Sequence, residues 1–164
     1  MNRLFAWAWE RALAGKPWVL TRVFWRWIPF NRPHRFRIHR LERGAAWVES
    51  PDRRPNRNHL RTQHACALAT VGEFAAGLAL LGAFRPTEYR LIMSRMEVDF
   101  TRRAQGGITA HAGLEPDDLA AVEAELNTHG RTTYTVTSLL NDAEGEPVAK
   151  VLTFWQIKSW NQIR

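Results

Sequence analysis

The chain has 164 residues, 45% of them hydrophobic, and a formal net charge of +7. That length suits one domain with a substantial core. It contains no uninterrupted run of eighteen apolar residues for a membrane span, and its single cysteine, Cys66, excludes an intramolecular disulfide and fits a cytoplasmic setting.

The first residues predict two helices. Leu4, Phe5, Ala8, Ala12 and Leu13 suggest one, broken around Gly15, Lys16 and Pro17. Leu20, Val23, Phe24, Trp27 and Ile28 form a stripe on a second, with Arg22 and Arg26 elsewhere on the wheel. Glu10, Arg11, Lys16, Arg22 and Arg26 interrupt any apolar stretch, which argues against a signal peptide. A Trp- and Arg-rich amphipathic pair suits a membrane surface. The plainer reading, taken here, is that both helices pack on the domain or its dimer mate. Residues 36–38 and 46–48 flank Glu42, Arg43 and Gly44 as a hairpin.

Residues 62–84 predict a long buried helix. Ala, Leu and Glu favour helix, and three glycines (Gly72, Gly77, Gly82) in a segment with little polar face imply close wrapping by other structure. Arg85-Pro86 ends it. Glu73 is the lone carboxylate inside this helix. A carboxylate in such surroundings is costly to desolvate without a partner. Residues 91–100 and 108–114 read as strands, 115–126 as a short surface helix, and 131–140 with 148–157 as a closing hairpin around Asn141 to Gly145.

Asn58, followed six residues on by His64 at the helix entry and then by Glu73, resembles the active-site segment of hotdog-fold thioesterases of the phenylacetate-pathway type. Pro29 to Pro33, Asn58-His59, His64 to Thr70, Glu73-Phe74 and Asp142 to Gly145 resemble more closely the thioesterase-like DUF4442 subfamily. The resemblance covers about residues 29–158. It implies an α+β hotdog fold, a curled antiparallel sheet around a central helix, as one domain over 29–164 preceded by a helical segment over 1–28. It departs from the pattern at Ala65 and Cys66, which stand where two glycines are usual, and at Glu73, where aspartate is frequent.

The activity so implied is hydrolysis of an acyl-CoA or other acyl thioester, with coenzyme A entering as part of the substrate and no separate cofactor. Glu73 would activate water as general base or attack as a nucleophile. Its alternative is a structural carboxylate at a dimer interface. Asn58 would orient the carbonyl or water, or only close an Asx turn. His64 would hold the carbonyl or order the helix start, and the N–H near Ala65 would face the oxyanion. Thr70 and Ser94 are hydroxyls able to position water. Arg102 and Arg103, and Arg61 near the helix entry, suit CoA phosphates or are simply solvated. Cys66 lacks a base placed by the motif and reads as a small apolar thiol. The histidines show no metal-ligand spacing, and no nucleic-acid motif is present.

Residues 64 and 73 are nine apart, so on one helix they fall roughly on opposite faces and about 13 Å apart along the axis. Two antiparallel copies can bring one chain's helix start to the other's carboxylate. A homodimer, or a tetramer built from two such dimers, is therefore expected. The competing reading is a non-catalytic hotdog that binds an acyl or other hydrophobic ligand, or a dimeric scaffold.

Overall fold

The structure, a computed structural model, describes residues 3–162. It opens with α1 (Arg3–Leu13) and α2 (Pro17–Trp27), separated at Gly15 as the sequence predicts. A short turn of helix, α3 (Asn31–His34), follows and was not foreseen. Then come β1 (Arg37–Glu42), β2 (Ala45–Ser50), α4 (Ala65–Ala83), β3 (Tyr89–Phe100), β4 (Ile108–Gly113), α5 (Pro116–His129), β5 (Arg131–Asn141) and β6 (Pro147–Ser159). The strands form one antiparallel sheet in the order β1-β2-β4-β5-β6-β3. Helix α4 touches every strand, so the sheet curls around it. This is the expected α+β hotdog architecture.

Helix α4 is long and apolar enough to cross a membrane, but here it is the core helix of the fold. Ala67, Leu68, Val71, Phe74, Ala75, Leu78, Ala79 and Leu80 are all buried. Gly72 shows why the approach to the sheet is so close. A Cβ there would lie 2.6 Å from Val151 Cγ2, and the Gly72 carbonyl accepts from Ser138 Oγ at 2.7 Å. Side-chain volume at this position would force α4 off β5 and β6.

The sheet wraps the helix closely, as expected, but leaves one side of it open. Cys66, Ala69, Thr70, Glu73, Gly77 and Leu81 remain exposed or half-buried. Their spacing of three and four residues makes one continuous stripe. Its start also differs from the predicted 62–84. His64 is extended (φ −71°, ψ 140°) and caps the helix, which begins at Ala65.

The two sheet edges differ. At β1 the helix α2 closes the edge: Thr21 Oγ1 accepts from Ile38 N–H at 2.9 Å, and Trp25 Nε1 donates to the Phe36 carbonyl at 2.7 Å. The predicted apolar stripe of α2 does pack inward, with Leu20, Val23 and Phe24 buried, whereas Ile28 is half-buried and Trp27 exposed. At the other edge, the 12-residue β3 pairs only with β6 and exposes Ile92, Met93, Met96 and Phe100. An uncovered, long edge with apolar residues exposed can template another strand, although Arg95, Glu97 and the bulge after Met93 partly guard this one.

Candidate active site

The entrance to α4 is built by a buried polar knot. Asn56 is fully buried, and its Nδ2 donates to the carbonyls of His34 and Pro51, each at 2.9 Å. With the amide so oriented, Asn56 Oδ1 is the acceptor that faces His34 Nδ1 at 2.9 Å. That geometry makes His34 Nδ1 the donor of this bond. Gln63, also buried, donates to the Gly106 carbonyl at 2.8 Å and accepts from Ser50 Oγ at 3.1 Å. His64 N–H then donates to the Asn56 carbonyl at 2.7 Å. The loop carrying the predicted site residues is thus pinned from both ends.

Within that loop, Asn58 serves its own backbone. Its Oδ1 accepts from the N–H groups of Leu60 and Thr62 at 2.9 and 3.2 Å, and its Nδ2 donates to Thr62 Oγ1 at 3.0 Å. This is the Asx-turn alternative drawn from the sequence. The turn holds the exposed Arg61 at φ 62°, in the left-handed region uncommon for a residue with a Cβ.

His64 Nδ1 accepts from Cys66 N–H at 3.0 Å. The Ala67 and Leu68 N–H groups bond the His64 carbonyl. Among the described residues, only the Ala65 N–H of this first turn is without a partner. Thr70 Oγ1 donates back to the Cys66 carbonyl at 2.8 Å, which leaves its oxygen able to accept.

Seven residues past Cys66, on the same stripe, Glu73 enters an apolar cavity of 330 Å³. Phe24, Ile28, Phe30, Phe74, Leu91 and Trp155 line it with Gly77 and Thr70. No hydrogen bond or ion pair reaches Glu73 among the described residues. Burial raises its carboxyl above the ordinary 4.5. A second cavity, of 290 Å³, shares Phe30 and Thr70 with the first and is lined by His34, His64, Cys66 and Ala67. The two form adjoining spaces along the open stripe of α4, roofed by α2 and α3.

The remaining predicted residues lie apart from these cavities. Ser94 sits at the bulge of β3 between Met93 and Arg95, and donates to the Phe154 carbonyl at 3.1 Å. Arg102 pairs with Glu146 at 3.0 Å and faces Asp142 at 3.9 Å, so it anchors the β5–β6 turn. Arg103 is exposed, and the next residue, Ala104, accepts a bond from Gln63 N–H at 3.0 Å. That contact brings Arg103 close to the helix entrance. Among the described residues no group of three His, Cys, Asp or Glu is arranged to hold a metal.

Sequence reading missed His34, Asn56 and Gln63. Each sits among arginines in the sequence, in stretches that read as ordinary polar loop. Several of their partners lie 13 to 43 residues away and are not visible locally.

Solved structures with this architecture include a protein of unknown function from Pseudomonas aeruginosa described as a probable thioesterase. It is 29% identical, with 85% of this chain and 94% of that one covered and a TM-score of 0.78. A thioesterase from Staphylococcus aureus is 16% identical, covering 79% and 98%, with a TM-score of 0.66. The phenylacetic acid degradation protein PaaI of Thermus thermophilus is 18% identical, covering 78% and 97%, with a TM-score of 0.60. At the last two identities the likeness concerns the fold alone. No curated protein matches the sequence. The family described as a domain of unknown function, DUF4442, matches residues 16–157, so α2 lies within it, and the chain belongs to that family.

Proposed function

We propose that the chain is an acyl-thioester hydrolase in which Glu73 activates water and a second copy completes each site. The observation that carries this reading is Glu73 itself: a carboxylate without a partner, desolvated in an apolar cavity, on the only open stripe of its helix. Stability alone gives no reason for such a group. A cavity of 330 Å³ falls within the usual range for small-molecule sites, and its apolar lining suits an acyl chain.

Ala65 and Glu73 are eight residues apart on α4, about 12 Å along the axis, so one chain does not bring them to a single carbonyl. The open stripe of α4 and the bare edge of β3 support pairing of two copies. In that dimer the free Ala65 N–H of one copy polarises the thioester carbonyl. Water attacks after giving a proton to Glu73 of the other, and the tetrahedral adduct expels the thiolate, which takes up the proton. Thr70 accepts a hydrogen bond from water or substrate, His64 holds the first turn, and Asn58 shapes the loop. Arg103, with Arg61 nearby in the loop, supplies charge for the phosphates of coenzyme A, and Arg102 backs the turn beside it. The substrate brings its own coenzyme A, no other cofactor is required, and the reaction suits the cytoplasm.

A panel of acyl-CoA esters followed by release of free thiol tests this, with Glu73→Gln as control. Hydrolysis by the parent and its loss in the variant are expected; equal rates would sink the role of Glu73. One observation favours the second reading, a binding module: His64 already occupies the Cys66 N–H, leaving a single free donor for an oxyanion. Ligand binding without hydrolysis by the parent would select it.

A further inference from the structure

Most of the large apolar side chains exposed on this fold lie in two places. One is β3, where the second copy proposed above would pair. The other is the α1–α2 hairpin and the residues just after it, where Leu4, Trp7, Leu13, Trp18, Trp27 and Phe30 are between 41% and 58% exposed. Hydrolysis makes no use of Leu4, Trp7, Leu13 or Trp18.

Much of the charge of the protein resides in the same region. Residues 3–30 hold five arginines and lysines against one acid, Glu10, a net +4 out of the +7 of the whole chain. Charge this concentrated on one segment is a statement about a partner.

The hairpin is apolar on two sides. Helix α1 sends Phe5, Ala8 and Ala12 into the core, and α2 sends Val19, Leu20, Val23 and Phe24. Phe5 stacks on Trp27 at 5.3 Å, which sets the helices antiparallel. Their inward packing is complete without Trp7 or Trp18. Outward, α1 turns Leu4, Trp7 and Arg11, and α2 turns Trp18, Arg22 and Arg26. In each helix a guanidinium lies over the outward indole: Arg11 is 5.7 Å from the Trp7 ring centroid and Arg22 is 4.8 Å from that of Trp18.

Indole has an apolar body and one polar N–H, which suits the boundary between headgroups and acyl chains. Arginine donates a planar fork to phosphate oxygens and keeps its charge there. Helices carrying both on one outward face lie in the interface plane rather than crossing it. We propose that the α1–α2 hairpin docks this protein on the surface of an anionic lipid bilayer. Phe24, Ile28 and Phe30 also wall the Glu73 cavity, so docking sets the mouth of that cavity beside the bilayer. Docking itself needs no hydrolysis and stands apart from the thioesterase reading.

The test is co-sedimentation of the full chain with phosphatidylcholine vesicles, with and without phosphatidylglycerol, at low salt and at about 0.15 M salt. Binding is expected to the anionic vesicles, and to fall with salt. Arg11→Glu with Arg22→Glu should weaken it by at least roughly 10-fold, and Trp7→Ser with Trp18→Ser should weaken it as well. Both pairs are on the surface, and unchanged circular dichroism establishes that they fold. A parent that stays in the supernatant with anionic vesicles, or binds neutral ones equally, overturns the docking role. So does a parent that binds while the double-arginine variant binds as well as it does. Absence of vesicle binding together with self-association that Trp7→Ser/Trp18→Ser abolishes assigns the face to another copy. Vesicle binding by a protein that hydrolyses no thioester leaves docking in place and removes only the enzymatic reading.

Discussion

The backbone N–H of Cys66 donates to Nδ1 of His64 at 3.0 Å, so the capping side chain uses one of the donors that the entrance of α4 would otherwise offer a ligand. Replacing His64 therefore has two opposed effects. His64→Ala removes the cap and should cost about 1 kcal/mol of stability, typical of a lost N-cap, read from the denaturant midpoint. It also frees the Cys66 N–H as a second oxyanion donor. His64→Asn should keep the cap and the parent's stability. Equal stability of His64→Ala and the parent would show that the contact contributes nothing to the helix.

Glu73 gives a prediction with a definite sign. Burial raises its carboxyl in the folded chain above the 4.5 of an ordinary glutamate. The folded state then binds more protons than the unfolded state between those two values, so stability falls as pH rises through that interval and stays lower above it. Glu73→Gln carries no such penalty. At neutral pH it should be at least as stable as the parent, while at pH 4 the two should converge. Hydrolysis should rise with pH through the raised pKa in the parent, and fall by at least about 10²-fold in the variant. A variant less stable than the parent at neutral pH would mean that an unseen partner compensates the carboxylate.

Much of the order of elements was legible because it is local. The β-branched run over 131–140, the Gly-and-Asp turn after it and the Pro17 break each act within a few residues. Helix α4 was legible from composition, yet its open stripe was not. Cys66, Thr70, Glu73 and Gly77 share a face by spacing alone, but which face the sheet leaves open depends on where β3 and β6 end. The edge position of β3 is likewise non-local, since its alternation looks like that of any strand. Asn58 carried two readings, an orienter of carbonyl or water and an Asx turn, and its local bonds form the turn, whereas the knot of His34, Asn56 and Gln63 depends on contacts across the chain.

Arg102 and Arg103 are adjacent in sequence but differ in their surroundings, so their variants should separate. Arg102 holds Glu146 at 3.0 Å, and Arg102→Ala should leave KM for acyl-CoA nearly unchanged. Arg103 is exposed beside the loop that Gln63 anchors, and Arg103→Ala should raise KM and flatten its dependence on salt with little change in kcat. The opposite pattern would move the phosphate contact to Arg102.

Gly72 tests whether α4 must lie this close to the sheet. A Cβ there would meet Val151 Cγ2 at 2.6 Å and Val151 Cβ at 2.8 Å, and the second of these is not the far end of a flexible chain. Gly72→Ala should therefore destabilise by about 1–3 kcal/mol despite the better helix propensity of alanine. Val151→Ala in the same chain removes Cγ2 but keeps the Cβ at 2.8 Å, so it should recover only part of the loss, and alone it leaves a cavity. The interaction shows as non-additivity in a double-mutant cycle of denaturant midpoints. Strict additivity would mean that the helix shifts freely, and that the distance between α4 and β6 does not hold Glu73 in place.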